Sequence, residues 1–509
     1  MLFVRLGWKM GKGHKMHRSG TILLAAIVVP LLALAGPGQA EIRDSHWTGG
    51  DGWWFGSAPS HWGPTPEPPN NGANGYDVTV HVDGSVVRLD GSPVINALAN
   101  YNTLYLNGKT LTTVTSAGTT NYGTISGSGR IDGGTDNPGT IESSSGTLTV
   151  SGPIAQIPAW VLTGGTWIAR ADSTLDIGST PFIVTNQGTV ILDGPNSNIP
   201  RLDNVAENTG TFQIIGGRKF TAPLNLANSG DILVGAGSTL TVSRFFTQTG
   251  GSTTVDGTLK IPTGTARIWG GTLHQNTDAG AGGAIRCIDL YGAAANFSVS
   301  QHLQEIDLAA ESRARLTAGG GKLIVTGILS IDDSDSALDL TNNSLLVDYS
   351  GADDPVATIR GYLATGCDNG KWDGLGITSS TCQADHAADP LVPTALGYRD
   401  DTGAQKVTVK YTWQGDSTLN GKVDIADDYF AFLDGFNGVG TGWFYGDFNY
   451  DGTIDIANDY FMFLDGFNMQ TGTLGGGLDG DFFPSPEPAT LSVLGLGALG
   501  LLARRQRRQ

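Results

Sequence analysis

The chain has 509 residues, with 48 Asp and Glu against 30 Lys and Arg and a formal net charge of −18. Nine of the basic residues lie in the two end segments, so the stretch between them is more acidic still. This balance excludes nucleic-acid binding, which needs a basic footprint, while the length suits one large domain with a small one attached.

Residues 1–40 read as an export signal. Lys9, Lys12, Lys15 and Arg18 form its basic region, Thr21 to Ala35 its apolar stretch, and Gly-Pro-Gly-Gln-Ala ends at a cut after Ala40. A buried helix is the competing reading, and the charge asymmetry disfavours it. Residues 41–74 carry Trp47, Trp53, Trp54 and Trp62. Clustered aromatics here are expected to plug the end of the fold that follows. The alternative is a platform of exposed rings for stacking sugars.

Residues 75–345 form the body. The chain holds 75 glycines, and its short alternating runs between turn residues point to a mainly β protein. The body also repeats. Asn-x-Gly-Thr or a close variant begins at Asn121, Asn137, Asn186, Asn208 and Asn228, with a degenerate copy at Gln248. A period near twenty residues is the signature of a solenoid, read here as a parallel β-helix of right-handed sense. Val190 and Leu192, or Ile232 and Val234, would point inward. Asn at the turn tolerates left-handed backbone and can bond to its stacked equivalents. An array of β-sandwiches is the other possibility. The aromatic opening resembles that of autotransporter-type passengers and planctomycete repeat proteins.

A β-helix can carry a polysaccharide lyase or hydrolase, which needs clustered carboxylates on one face. Asp332, Asp333 and Asp335 are the densest candidates, and an acidic turn explains them equally well. The eight histidines lack metal-ligand spacing, and no nucleophile elbow or phosphate loop is evident. No catalytic residue is assigned.

Residues 346–413 read as a C-terminal cap or connector, similar to the segment before the duplicated loops of such exported proteins. Cys367 and Cys382 enclose a short Gly-rich loop and are candidates for one disulfide. Cys287, in an alternating pattern, is expected to be a buried thiol.

Residues 414–470 contain the sharpest signal, a duplication 31 residues apart. Gly-Asp-Ser-Thr-Leu-Asn-Gly-Lys-Val-Asp from Gly415 is answered by Gly-Asp-Phe-Asn-Tyr-Asp-Gly-Thr-Ile-Asp from Gly446. Asp-Tyr-Phe-Ala-Phe-Leu-Asp-Gly-Phe-Asn (428–437) is answered by a near-copy at 459–468. Oxygens at alternate positions, a turn glycine and a closing carboxylate are what a Ca²⁺ loop requires. The first set is Asp416, Thr418, Asn420, the Lys422 carbonyl, Asp424 and Asp427. The second is Asp447, Asn449, Asp451, the Thr453 carbonyl, Asp455 and Asn458, with Asp459 able to stand in for Asn458. Gly421 and Gly452 would take the sharp turns. Neutral Thr418, Asn420 and Asn458 imply modest affinity, nearer an extracellular module than a cytosolic buffer. Tyr429, Phe430, Phe432, Leu433 and Phe436, repeated as Tyr460, Phe461, Phe463, Leu464 and Phe467, make an apolar helix face that is expected to pack the halves together.

These residues resemble the type I dockerin, a duplicated EF-hand-like calcium module, in the form found in exported planctomycete proteins. The resemblance implies docking through the helices onto a cohesin-like or other surface protein. The partner-choosing positions hold Ile425, Ala426, Ile456 and Ala457 in place of the hydroxyl pair common in cohesin-binding members.

After a linker at 471–485, residues 486–509 give Pro-Glu-Pro, an apolar run from Ala489 to Ala503, and a terminal Arg cluster. Fifteen apolar residues are short of the roughly 20 that span a bilayer, and the basic end should stay cytoplasmic. This resembles the PEP-CTERM sorting signal, which implies a transient membrane anchor processed by an exosortase-type enzyme. The whole reads as an exported, non-catalytic surface or matrix protein with a calcium-binding attachment module and a possible extracellular polysaccharide ligand. A secreted polysaccharide-degrading enzyme with the same module is the alternative.

Overall fold

The structure is a computed structural model that describes residues 41–474, apart from 57–60, 65–66, 73, 179–180 and 333–334. The export signal, the sorting segment and residues 475–485 of the linker lie outside the described residues, as does Asp333.

The described chain winds into a β-solenoid of about 13 turns with few helices. Leu226–Asn228, Asp231–Val234 and Thr239–Val242 make one three-sided turn, and Phe246–Gln248, Ser252–Val255 and Thr258–Lys260 the next. Each strand runs parallel to its counterpart, with Leu226 opposite Phe246, Asp231 opposite Ser252 and Thr239 opposite Thr258. Parallel pairing from rung to rung rules out the sandwich alternative, which is built from antiparallel sheets.

Alternation sets what lies inside. Val190, Phe212 and Ile232 stand in register on successive turns, and Leu192, Ile214 and Val234 form a second column. All six are at most 1% exposed. Burial of such a side chain contributes about 1.5–3 kcal/mol, but only when a neighbouring rung covers it, so stability belongs to the stack.

The Asn repeat forms a buried ladder. Nδ2 of Asn186 donates to Oδ1 of Asn208 at 2.7 Å, and Asn208 donates to Asn228 at 2.8 Å. Asn121 to Asn137 (2.7 Å) is the same contact nearer the N-terminus. Asn100 joins it at 2.7 Å from Asn121, although its turn reads Asn-Tyr-Asn-Thr. Leu162, opposite Asn186, interrupts the ladder. None of these asparagines adopts positive φ, so the left-handed role expected of them is not used. The same Nδ2 also reaches backbone carbonyls, as in Asn208 to Gly210 and Asp231. The glycine two residues on is needed for close approach: a Cβ on Gly230 would lie 2.1 Å from the Gly210 carbonyl oxygen.

Both ends depart from the regular turn. Ile42–Trp47 pairs parallel with Gly75–Val80 and antiparallel with Trp62–Gly63. Trp47, Trp54 and Trp62 are buried in edge-to-face contact at 4.9 and 4.7 Å, and Trp53 is the exposed member of the four. Trp54 Nε1 donates to the Pro69 carbonyl and Trp62 Nε1 to the Trp54 carbonyl. At the other end the stack continues from Ala337–Asp339 to Gly376–Thr378, across an excursion that forms helix α1 (Val356–Cys367). Helix α2 (Ser380–Ala388) follows. A hairpin of Thr394–Asp401 and Lys406–Trp413 then lies antiparallel on Ser344–Asp348 and ends the parallel order.

The expected Cys367–Cys382 bond is not formed; both are buried free thiols. Each is held by its own helix end: Cys367 Sγ accepts from the Gly370 amide at 3.3 Å, and Ser379 and Thr394 hydrogen-bond the Cys382 thiol. Burial pushes Cys367 up to about 11. Cys287 is only half-buried, because the phase of its strand puts Ile288 and Leu290 inside.

Gly230→Ala is expected to destabilise the rod by about 2–4 kcal/mol through the backbone clash. Asn208→Ala should cost about 1–3 kcal/mol by leaving buried acceptors unpaired. Gly134→Ala, where an added Cβ meets nothing within 4 Å, should be nearly silent. Denaturant titration followed by circular dichroism compares the three, and equal midpoints for the two glycine variants would refute the close-approach account.

Candidate metal centre

The hairpin strand Lys406–Trp413 runs directly into the first acidic loop, so the loops grow from the cap of the rod. The described residues from Ile42 to Leu474 fall in one compact unit. Gly421 and Gly452 take φ of +86° and +85°, as the turn requires. Leu419 and Tyr450, at matched positions, are also left-handed, with φ of 61° and 64°, which is uncommon away from glycine. Packing holds them: both are buried, Tyr450 Oη donates to the Leu396 carbonyl at 2.8 Å, and the Leu419 carbonyl accepts from Lys410 Nζ at 3.0 Å.

Each loop turns two carboxylates inward, and all four are fully buried: Asp416 with Asp428, and Asp447 with Asp459. Asp416 accepts from the amides of Asn420 and Gly421 and from the Thr412 hydroxyl. Asp428 accepts from the amides of Thr418 and Asp424. In the second loop Asp447 Oδ2 accepts from the Gly452 amide, and Asp459 from those of Phe448 and Asp455. Oδ1 of Asp447 is enclosed and accepts no hydrogen bond. Burial pushes Asp416, Asp447 and Asp459 up to about 6. Asp428 rises to about 7, from burial first and then from the charge of Asp416.

The buried carboxylates are thus one residue later than Asp427 and Asn458, at which the sequence pattern ends the two loops. Asp427 and Asn458 are exposed, and their amides instead cap onto Asp424 and Asp455. Asp428 lies in a wide helical turn, Ile425–Tyr429, whereas Asp459 is the first residue of the regular helix Asp459–Met469, so the same position faces inward in both loops. Thr418 lies between the first pair, its hydroxyl 3.2 Å from Asp428 and 3.4 Å from Asp416. Asn420 is turned to the Lys422 amide. Asn449, Asp451 and Thr453 bond to one another along the turn. Among the described residues no three His, Cys, Asp or Glu side chains gather as a metal site.

Helices α3 (Phe430–Phe436) and α4 (Asp459–Met469) follow the loops. Phe432 and Phe463 are buried and interlock with Tyr460 and Tyr429 at 5.8 and 5.6 Å. Phe430, Phe436, Phe461 and Phe467 stay exposed, so only part of the aromatic stripe joins the halves.

A second acidic group, which the sequence did not single out, lies on the solenoid. Asp289 and Asp307 are in register on adjacent rungs. Burial, with the charges of Asp332, Asp289 and Glu305, raises Asp307, whose Oδ1 is enclosed without a hydrogen bond. Asp332 is engaged by the Ser330 hydroxyl at 2.5 Å, and the Asp335 carbonyl accepts from Arg313.

Residues 486–508 match the family model of the PEP-CTERM protein-sorting motif. That motif marks an exported bacterial protein with a C-terminal membrane anchor, processed by an exosortase-type enzyme and sorted to the cell envelope. No curated protein and no solved structure matches the chain.

A carboxyl raised on folding favours the folded state when protonated. Its contribution is complete below the ordinary carboxylate range and is lost as pH rises through about 6 to 7. In chelator, the melting temperature of the intact protein should therefore fall between pH 5 and pH 8. A profile that is flat or rises over that interval would contradict the burial of the four aspartates.

Proposed function

We propose that this protein is a non-catalytic structural or adhesive rod of the bacterial envelope, closed at its C-terminal end by a dockerin-like calcium-binding loop pair. The observation that carries the reading is the duplicated burial of Asp416 with Asp428 and Asp447 with Asp459. Buried like charges need a counter-charge, and the enclosed, unpaired Oδ1 of Asp447 fits a hard cation. Asp416, Thr418, Asn420, the Lys422 carbonyl and Asp428 would hold the first ion. Asp447, Asn449, Asp451, the Thr453 carbonyl and Asp459 would hold the second. Calcium, when bound, supplies the double positive charge that offsets each carboxylate pair, and the oxygen-only donor set suits it.

Attachment is supported by an apolar rim repeated in both halves. Ile425 and Phe430 are 54% and 52% exposed, and Ile456 and Phe461 are 53% and 56%. A cohesin-like or other envelope protein is the corresponding partner. A second reading, a polysaccharide hydrolase or lyase, is favoured by the register of Asp289 on Asp307. Turnover of pectin, alginate or a neutral glycan by the intact protein, lost in Asp307→Asn, would establish it over the first.

Calorimetric titration tests the calcium reading. Asp428→Asn and Asp459→Asn should each abolish one binding event. Asp427→Asn and Asn458→Ala should leave both within about twofold, in the affinity range of extracellular modules, roughly 10⁻⁴–10⁻³ M. Absence of any calcium binding up to several millimolar in the unaltered protein would defeat the proposal.

A further inference from the structure

The two loops share a sequence pattern but not their surroundings. Lys410 reaches the first loop, where its Nζ donates to the Leu419 carbonyl at 3.0 Å, and it is buried on the hairpin. Arg360, from helix α1 of the cap, reaches the second loop. Its Nη1 lies 4.0 Å from Oδ2 of Asp447, and its side chain is 38% exposed while that of Asp447 is 0%. The same nitrogen would be 3.0 Å from a Cβ on Gly452, so the guanidinium rests against the turn of the loop. Oδ2 of Asp447 therefore has both the Gly452 amide and a cation beside it, and Oδ1 has neither. No equivalent arginine faces Asp416 among the described residues; the charge acting on Asp416 is that of Lys410.

We propose that Arg360 is a tethered counter-cation of the second loop, which steadies Asp447 in the calcium-free protein and weakens calcium binding there, so that the two loops are unequal sites filled in order. The proposal rests on the calcium reading above. Its physical content is competition: a fixed positive charge near a carboxylate favours the ionised form when alone and repels a divalent ion that needs the same oxygens. Lys410 also sets a positive charge near Asp416, but among the described residues only Arg360 lies against the turn glycine of its loop, so the second loop is the one expected to fill last. Filling of the second acts on α1, and so links the loop to the last turn of the rod, which α1 adjoins through Gly376–Thr378.

The test is calorimetric titration of Ca²⁺ into the intact protein, beside Arg360→Met, Arg360→Lys and Asp459→Asn. Two steps are expected for the unaltered protein, with Asp459→Asn removing the weaker one and so assigning it. Arg360→Met should tighten that weaker step about tenfold and leave the stronger one in place, while Arg360→Lys should stay near the original value. Because Arg360 is partly exposed and is not among the buried residues of α1, the methionine variant should keep the packing of the helix, and an unchanged circular dichroism spectrum checks this. Two steps that persist unaltered in Arg360→Met, or a weaker step that loosens further, would overturn the role of Arg360 and leave calcium binding standing. No binding by any of the four proteins would remove the calcium reading itself, and this inference with it.

Discussion

Everything in this molecule depends on one constraint: a parallel stack of rungs satisfies each strand only through the next. The rung Asp231–Val234 has partners in Thr211–Ile215 and Ser252–Val255, and its inward Ile232 and Val234 are covered by the same neighbours. An open end would leave a row of unpaired backbone groups and a bare core, the features that make edges prone to aggregate. The interior can be repetitive because its Asn ladder and close-packed glycines repeat one solution. The ends cannot, and there the composition changes abruptly to tryptophan at one end and to helices, tyrosine and aspartate at the other.

Seen from that constraint, the acidic loops belong to the closure of the rod. Thr394–Asp401 is the outer strand of the hairpin, and the loop pair lies against it. Tyr450 bonds to Leu396, and a Cβ on Gly397 would meet Leu419 and Trp443 at 2.5 and 2.7 Å. Trp443 Nε1 donates to the Asp416 carbonyl at 2.7 Å, and Trp413 Nε1 donates to that of Gly472 at 2.8 Å. The buried carboxylates are thus seated in the layer that covers the last strand. Their charge is a strain on that layer at neutral pH, and whatever neutralises it steadies the end of the stack. A freely tethered segment would not transmit such a term to the rod; a loop pair grown from the hairpin must.

Particular residues show what could be read in the sequence and what could not. The ladder was legible from Asn121 to Asn228 because a buried side chain with fixed partners tolerates little change, and Asn100 was missed because a second asparagine replaced the turn glycine. The paired loops were legible through their oxygens and their glycines. Which side chain turns inward at the loop end was not: the sequence pointed to Asp427 and to Asn458, with Asp459 as its stand-in, whereas Asp428 and Asp459 are the buried carboxylates. Sequence spacing fixes which side chain faces inward only when the helix that follows begins in phase, and phase is a property of packing. The same reasoning explains Asp289 and Asp307, eighteen residues apart and unremarkable in order, which become neighbours once the rungs are in register. It also explains Arg360, which precedes the second loop by some ninety residues and reaches it only because α1 interrupts the last turns of the solenoid. Long-range charge contacts of this kind are set by the closure of the stack, so they become visible only after the turn length has been established.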